Sequence, residues 1–132
     1  MTELHCWVTI REHYCLDDDN LELIVQKINK RIEKYSFDFK VKSMNGEYYL
    51  EYSLFSNHFS QDTNELLNLF SYIGEVAIGS YGLLYLHDDE DIEKHNYFKV
   101  YKLAKGIIYE IEDNYLSPCI PTIEEELNNT TK

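Results

Sequence analysis

The stretch GSYGLLYLHDDED, residues 79–91, decides the fold predicted for this chain. Apolar side chains alternate between both faces of a strand, with Tyr81, Leu83 and Tyr85 on one face and Leu84 and Leu86 on the other. Apolar residues on both faces predict a central strand that is covered on both sides. Gly79 and Gly82 permit backbone conformations or close approaches that other residues do not. The strand therefore carries four consecutive carboxylates, residues 88–91, at its exposed end.

The size and charge of the chain limit the class of protein. With 132 residues, 44% of them apolar, the chain fits one globular domain, and we expect it to span residues 1–127 with a frayed tail at 128–132. The formal net charge of −12 disfavours nonspecific binding to nucleic acid or to an anionic membrane. It favours a basic protein as partner, although the same charge also serves solubility.

The cysteines and the beginning of the chain predict a cytoplasmic protein. Cys6, Cys15 and Cys119 are odd in number and show no C-x-x-C spacing. Residues 1–5 lack the basic start and apolar run of a signal peptide, and no apolar stretch approaches the roughly 20 residues that span a membrane. We therefore expect free thiols in a reducing compartment, with Cys6 as a small core residue.

The first elements are a strand and a helix. Residues 3–11 alternate as a half-buried strand, with Trp7 on the more polar face. There Trp7 either packs under a neighbouring element or contributes to a binding surface. A helix begins after residues 17–20, and its apolar stripe runs from Leu21 to Tyr35.

A hairpin follows this helix. Asn45-Gly46 is a strong signal for a tight turn, because both residues tolerate positive φ. It predicts that a strand at residues 37–42 pairs with a return strand at residues 47–54, with a lysine of one strand near a glutamate of the other. Tyr49 then lies on the wet face of the return strand.

The second half predicts a helix and three strands. The helix is capped by one of Ser60, Asp62 and Thr63. Its apolar stripe ends at Ala77, and Gly79 ends the helix in the manner of a C-terminal cap. After the strand at the centre of the fold, a hairpin turns at Lys105-Gly106.

The chain closes with an extended segment around Pro118 and Pro121, which we expect to lie pinned across the domain. The order β-α-β-β-α-β-β-β then predicts an α+β domain. Its core is a single, mainly antiparallel sheet with two helices packed on it.

The carboxylates at residues 88–91 leave a metal-dependent enzyme open as an alternative. Asp88 and Asp91 across a turn supply the one or two carboxylates that Mg²⁺ takes from protein. A calcium loop does not fit, because Lys99 or Val100 stands where its twelfth position needs Glu. The sequence shows no zinc spacing, esterase elbow, phosphate loop or dinucleotide fingerprint. We expect no catalytic residue, no metal and no cofactor. A structural or oligomerising domain is a further alternative to a binding protein.

The function that remains to be considered is binding of a partner at the protein surface. Acidic clusters lie at residues 17–19, 88–91, 110–113 and 124–126 beside twelve tyrosines, a residue type enriched at interfaces. The candidate partner-binding residues are Asp88, Asp89, Glu90, Asp91, Tyr49 and Trp7. The four carboxylates equally suit a role in capping the strand and ordering its turn, and the sequence leaves both interpretations open.

Several segments resemble the bacterial immunity protein 7 family. They are Gly79–Asp91, Met44–Tyr48, Asn57-His58 and Leu116–Glu124. His5-Cys6-Trp7 resembles the start of the family, except that Cys6 stands where the family has glycine. The matches follow the same order from about residue 5 to residue 125.

The resemblance implies a cytoplasmic antidote in a polymorphic-toxin or contact-dependent inhibition system. Such a protein binds the toxic C-terminal domain of a cognate effector, often a nuclease, and neutralises it without catalysis. Charge and resemblance together imply a basic toxin domain as partner, with no nucleic acid and no membrane. We expect the free chain to be a monomer or a weak dimer.

Overall fold

A computed structural model describes residues 1–57 and 61–124 of the chain. The strands are β1 (Thr2–Ile10), β2 (Lys42–Met44), β3 (Glu47–Ser56), β4 (Tyr81–Asp88), β5 (Lys99–Ala104) and β6 (Ile107–Glu112). The helices are α1 (Leu21–Ile32), α2 (Gln61–Val76) and the single turn α3 (Cys119–Thr122). The predicted α+β class and order of elements are confirmed, with α3 as an addition. The candidate cap Ser60 and the tail at 128–132 lie outside the described residues.

The strands of the described residues form one antiparallel sheet with the order β2-β3-β1-β4-β5-β6. β1 lies at its centre and pairs with β3 from Thr2 to Ile10 and with β4 from Thr2 to Thr9. Because side chains alternate along a strand, Leu4, Val8 and Ile10 point to the same face, where they are fully buried.

Both main helices cover that face. The stripes predicted for α1 and α2 are buried in the same cluster as the inward side chains of β1, β3 and β4. Cys6 belongs to this core, as the sequence predicts, and burial raises the pKa of its thiol to about 12. The face under the helices is therefore the main hydrophobic core of the domain.

The prediction that β4 is covered on both faces is wrong for most of its length. On the helix side, Leu84 is fully buried. On the opposite side, Tyr81 is 45% exposed and Leu83 and Tyr85 are half-buried. Among the residues that the structure describes, cover reaches only the C-terminal end of the strand, where the Phe98 ring contacts Tyr85 edge-on with centroids 6.2 Å apart. The apolar residues on that face therefore form a surface rather than a second core.

The segment after β6 is pinned across the domain, as predicted, although it contains the turn α3 and is not extended throughout. The buried carboxylate of Asp113 accepts hydrogen bonds from the Leu116 backbone and the Ser117 hydroxyl. The Ser117 hydroxyl in turn accepts a hydrogen bond of 2.8 Å from the backbone N–H of Phe98. The Asn96 side chain accepts a 2.7 Å bond from the backbone N–H of Ile120. These bonds hold the segment against the chain between β4 and β5.

The first hairpin differs from its prediction in the extent of the first strand. The turn is as expected, with φ of 52° at Asn45 and 81° at Gly46, but β2 begins only at Lys42. Before it, Phe37 and Phe39 stack on each other and meet the Tyr52 ring at a tilt, with centroids 4.9–5.3 Å apart. Their alternation reflects packing of the rings against the core edge, not pairing in a ladder.

The glycines around β4 are required by close approaches between backbones. A Cβ added at Gly79 would lie 2.8 Å from the Cα of His13, and one added at Gly82 would lie 2.8 Å from the Cα of Val8. Gly79 lacks the positive φ of a helix cap, so the predicted capping role is wrong. Ser80 between them is buried, and its hydroxyl accepts a hydrogen bond of 3.1 Å from the backbone N–H of Arg11. The loop after α2 is thus held against the C-terminal end of β1 by this hydrogen bond and by close backbone contacts.

We expect Gly82→Ala to destabilise the fold severely, because its Cβ overlaps the neighbouring backbone of β1, which cannot move without breaking the centre of the sheet. The expected loss of unfolding free energy is about 3 kcal/mol or more. Gly46→Ala serves as the control: nothing lies within 4 Å of its Cβ, and the positive φ alone costs about 1 kcal/mol. Urea denaturation followed by circular dichroism measures both, and equal losses would contradict the argument.

Candidate partner-binding surface

The face of the sheet opposite α1 and α2, hereafter the open face, is the candidate surface that carries the exposed aromatic side chains Trp7 and Tyr81. Strand register places these side chains on it: Lys42 and Met44 of β2, Tyr49 and Glu51 of β3, Trp7 and Thr9 of β1, Tyr81 and Leu83 of β4, Lys102 of β5, and Ile107, Tyr109 and Ile111 of β6. Within residues 1–57 and 61–124, the two main helices α1 and α2 cover only the other face, and the segment with α3 covers the open face only at the C-terminal end of β4. The open face is therefore available to a partner.

Aromatic side chains form the centre of the open face. The rings of Trp7 and Tyr81 meet edge-to-face with centroids 6.1 Å apart, yet Trp7 stays 41% exposed. Thr9 pairs with Tyr49 on one side and with Tyr81 on the other, so a small side chain separates two large ones. The resulting shallow depression measures about 580 Å³. Trp7 thus packs edge-to-face against Tyr81 and is still exposed, while its contact with a partner stays a prediction.

Charges on the open face are mixed and locally paired. The ammonium of Lys42 lies 3.6 Å from the carboxylate of Glu51. The ammonium of Lys102 lies 5.1 Å from the centroid of the Tyr109 ring, a cation–π distance. The strong negative charge of the chain is therefore not concentrated at the aromatic centre.

The predicted acidic turn, residues 88–91, lies at the other end of β4. Asp88 pairs with Thr2, whereas Tyr81 pairs with Thr9, so the two ends are seven residues apart along the strand. At about 3.3 Å per residue, this separates them by roughly 23 Å. The structure thus brings the candidates Trp7 and Tyr49 together and places the four acidic candidates elsewhere.

All four carboxylates in the acidic turn bind groups of the protein itself, and that of Glu90 lies 3.7 Å from the N-terminal ammonium. Asp88 accepts a hydrogen bond of 3.0 Å from the backbone N–H of Glu90. Asp89 binds the N-terminal ammonium, and this hydrogen bond lowers the pKa of the Asp89 carboxyl. The structure therefore supports the turn-ordering interpretation, while contact of the acidic turn with a partner stays a prediction.

Asp91 is the most constrained of these carboxylates. It accepts hydrogen bonds from the backbone N–H groups of Glu93 and Lys94 at 2.9 and 3.1 Å. Its second oxygen lies 3.3 Å from the ammonium of Lys99. The two N–H groups first, and then Lys99, hold the pKa of the Asp91 carboxyl below its usual range.

Two further results concern alternative classes of protein. Among residues 1–57 and 61–124, no group of three or more His, Cys, Asp or Glu side chains is arranged to hold a metal ion. None of the helices in the described part of the chain is both long and apolar enough to cross a membrane.

Sequence reasoning missed the part that β4 and β6 contribute to the open face. Tyr81 and Leu83 were expected to be covered and no position was predicted for Tyr109, whereas strand register places all three on the same face as Trp7. The number of helices was the signal that could have found this surface. Two amphipathic helices can cover one face of a sheet but not both, so the other face should be exposed.

The fold and the open face define a small α+β domain with exposed aromatic side chains on one face of its sheet. The model of the Immunity protein 7 family matches residues 1–125, and the chain belongs to this family. It is therefore an immunity protein of a toxin–immunity system, and membership implies that it binds a cognate toxin. No curated protein and no solved structure matches the chain.

We expect the stabilisation from Asp91 to disappear in acid. Because the folded state lowers the pKa of Asp91, its contribution is fully present above the unfolded value of about 3.9 and is lost as pH falls through the folded pKa. Asp91→Asn should therefore lower the melting temperature at pH 7 and lower it progressively less below pH 4. Asp38→Asn, at an exposed site, controls for the loss of one negative charge. A deficit in Asp91→Asn that is equal at pH 7 and pH 2.5 would contradict this assignment.

Proposed function

We propose that this immunity protein neutralises a basic, nucleic-acid-cleaving toxin domain in the cytoplasm by docking its open face on the toxin, without any catalysis of its own. The observation that carries the proposal is the exposed aromatic pair Trp7 and Tyr81 at the centre of a sheet face that the helices leave uncovered. Partly buried aromatic side chains of this kind supply most of the affinity in protein interfaces.

The charge of the chain supports a basic partner. A toxin that acts on nucleic acid has to present Lys and Arg side chains to phosphates. A chain with a net charge of −12 attracts such a surface and repels acidic proteins. Charge complementarity of this type raises the association rate and restricts the choice of partner more than it raises affinity.

We assign the two groups of candidate residues to different tasks. The open face, with Trp7 and Tyr49, forms the contact that determines the lifetime of the complex. The acidic turn is exposed at Asp89 and Glu90 and lies at the rim, where it contributes to the field that guides the toxin in. Its internal hydrogen bonds are compatible with this task, because a long-range field does not require free hydrogen-bonding groups.

The direct test is co-expression in a bacterial host with the C-terminal domain of the effector encoded beside the immunity gene. The proposal expects growth to be restored, nuclease activity of the purified toxin domain to be blocked, and a one-to-one complex to elute from a sizing column. A toxin domain that stays active in the presence of the purified immunity protein would overturn it. Blocked activity of a toxin that does not cleave nucleic acid would overturn the nuclease assignment alone.

Trp7→Ala should weaken the complex by about 30-fold or more, because a central aromatic anchor contributes about 2 kcal/mol or more to binding. Leu23→Ala is the matched control: Leu23 is also a large exposed apolar side chain, but it lies on α1 behind the sheet. We expect it to bind the toxin as tightly as the native chain. Isothermal titration calorimetry measures both affinities, and melting curves verify that both variants are folded. Equal losses in the two variants would exclude the open face as the contact.

Association should slow as ionic strength rises, since salt screens exposed charges over about 8–10 Å. Glu90→Lys should slow association further and leave dissociation unchanged, because the acidic turn acts at the rim. Glu33→Lys changes the net charge equally but lies at the end of α1, so its effect should be smaller. Stopped-flow mixing at 50 and 500 mM NaCl measures these rates. An association rate that is independent of salt would contradict electrostatic guidance.

A further inference from the structure

The outer edge of β6 has no partner strand within residues 1–57 and 61–124, because β6 ends the sheet order. The strand is six residues long, Ile107–Glu112, and contains neither proline nor lysine. Natural proteins commonly protect an edge of this kind with such residues, with a bulge or with a covering element. The opposite edge, β2, is only three residues long. The two edges of the sheet are thus unequal, and β6 is the one suited to accept another strand.

The turn at the start of β6 fixes which backbone groups point outward. Lys105 and Gly106 both have positive φ, 52° and 76°, and form a two-residue turn between the paired residues Ala104 and Ile107. A two-residue turn closes on a hydrogen-bonded pair, and hydrogen bonding alternates along an antiparallel ladder. The N–H and C=O groups of Ile108, Glu110 and Glu112 therefore face away from β5. Among the described residues no backbone group pairs with them, so they form a row of available donors and acceptors along the edge.

The side chains of β6 define the pattern that a docking strand has to match. Ile107, Tyr109 and Ile111 lie on the open face and are each more than a third exposed. Glu110 and Glu112 lie on the helix side and are exposed. A strand that pairs with β6 needs apolar side chains on one face and basic side chains on the other.

The charges near β6 also favour basic side chains in the strand that docks on it. On the helix side, Glu112 pairs with Lys99, whose ammonium is already bound by Asp91. Glu110 pairs with Tyr101, which carries no charge that would balance it. On the strands at this end of the sheet, Glu110 and Glu112 therefore have only the ammonium of Lys99 nearby, and Asp91 of the acidic turn already binds it.

We propose that β6 is the site where the toxin domain adds a strand to the sheet, through an extended segment in which Lys or Arg alternates with apolar residues. This inference rests on the function proposed above and specifies how the toxin is held. The added strand continues the open face beyond Tyr109, so its apolar side chains and the aromatic centre belong to one contact. Main-chain hydrogen bonds supply affinity in such a complex, and the alternating side chains supply specificity.

A second copy of this chain suits the edge poorly. Antiparallel pairing of two β6 strands would bring Glu110 and Glu112 of both copies onto one small patch, four carboxylates on neighbouring strands. Like charges at such distances are destabilising in a sheet. Each copy also carries a net charge of −12, which opposes association. The charge of the edge selects a basic strand over self-pairing.

The first test removes one outward N–H group. Glu110→Pro deletes the donor at the centre of the edge, where proline is tolerated because the N–H faces solvent. Glu110→Gln is the first control, because it removes the charge but keeps the N–H donor. Ser43→Pro is the second control, because it removes an N–H donor from the other edge strand, β2. Ser43 is exposed, and its backbone groups face away from β3 by the same alternation. We expect Glu110→Pro to bind the toxin domain at least about tenfold more weakly than Glu110→Gln, and Ser43→Pro to bind like the native chain. Equal affinity of Glu110→Pro and Glu110→Gln in folded variants would overturn the proposal.

The second test uses the native chain and does not depend on how the proline variant folds. Amide hydrogen exchange followed by NMR should show slow exchange at Ile108, Glu110 and Glu112 only in the complex with the toxin domain. Fast exchange at these three amides in a complex that still blocks the toxin would overturn strand addition and leave the proposed function intact. Absence of any complex would overturn both. Slow exchange at all three amides in the free chain at high concentration, with a doubled mass, would show self-pairing and overturn the choice of partner.

Discussion

The packing of both helices on one face of the sheet is the constraint on which the surface chemistry of this protein depends. Side chains alternate along every strand, so each strand that contributes to the core also sends half of its residues to the other side. The α2 helix lies so close to the β5–β6 turn that a Cβ at Gly74 would be 3.2 Å from the carbonyl oxygen of Gly106. The chain has no third long helix among its described residues, and the segment that includes α3 covers only the far end of β4 and β5. The open face is a consequence of this one-sided cover.

The distribution of charge follows the same division. The aromatic centre of the open face carries balanced charges, with Lys42 beside Glu51, whereas carboxylates outnumber the ammonium groups that pair with them at the acidic turn and at the end of β6. This separation is physically favourable for rapid and lasting binding. Apolar burial is most effective where no charge has to be desolvated, and long-range attraction is most effective from exposed rims. A protein that has to capture a toxin quickly and hold it gains from both.

Most of the fold could be predicted from the sequence, because local signals determine it. The turns at Asn45-Gly46 and Lys105-Gly106, the helix stripes and the alternation of β1 all depend on residues close in sequence. What could not be predicted depends on contacts distant in sequence. The role of Gly79 is set by the backbone of His13, and the exposure of Tyr81 is set by what lies above β4. For the same reason the residues of the acidic turn were identified, but their bonds to Lys99 and to the N-terminus were not.

The segments that resemble the family are, in the structure, mainly the framework of the fold. Gly82 permits the approach of β4 to β1, Ser80 ties the loop after α2 to Arg11, and Asn45-Gly46 forms the first hairpin turn. Among the outward-facing residues, Trp7 and Tyr81 lie within those segments, whereas Tyr49 and Glu110 lie outside them and are not part of the core. A change there alters the surface without disturbing the fold, because surface substitutions away from packed or capped positions cost little stability. One framework can therefore present different recognition surfaces to different toxins, which is the physical requirement for a family whose members each neutralise their own partner.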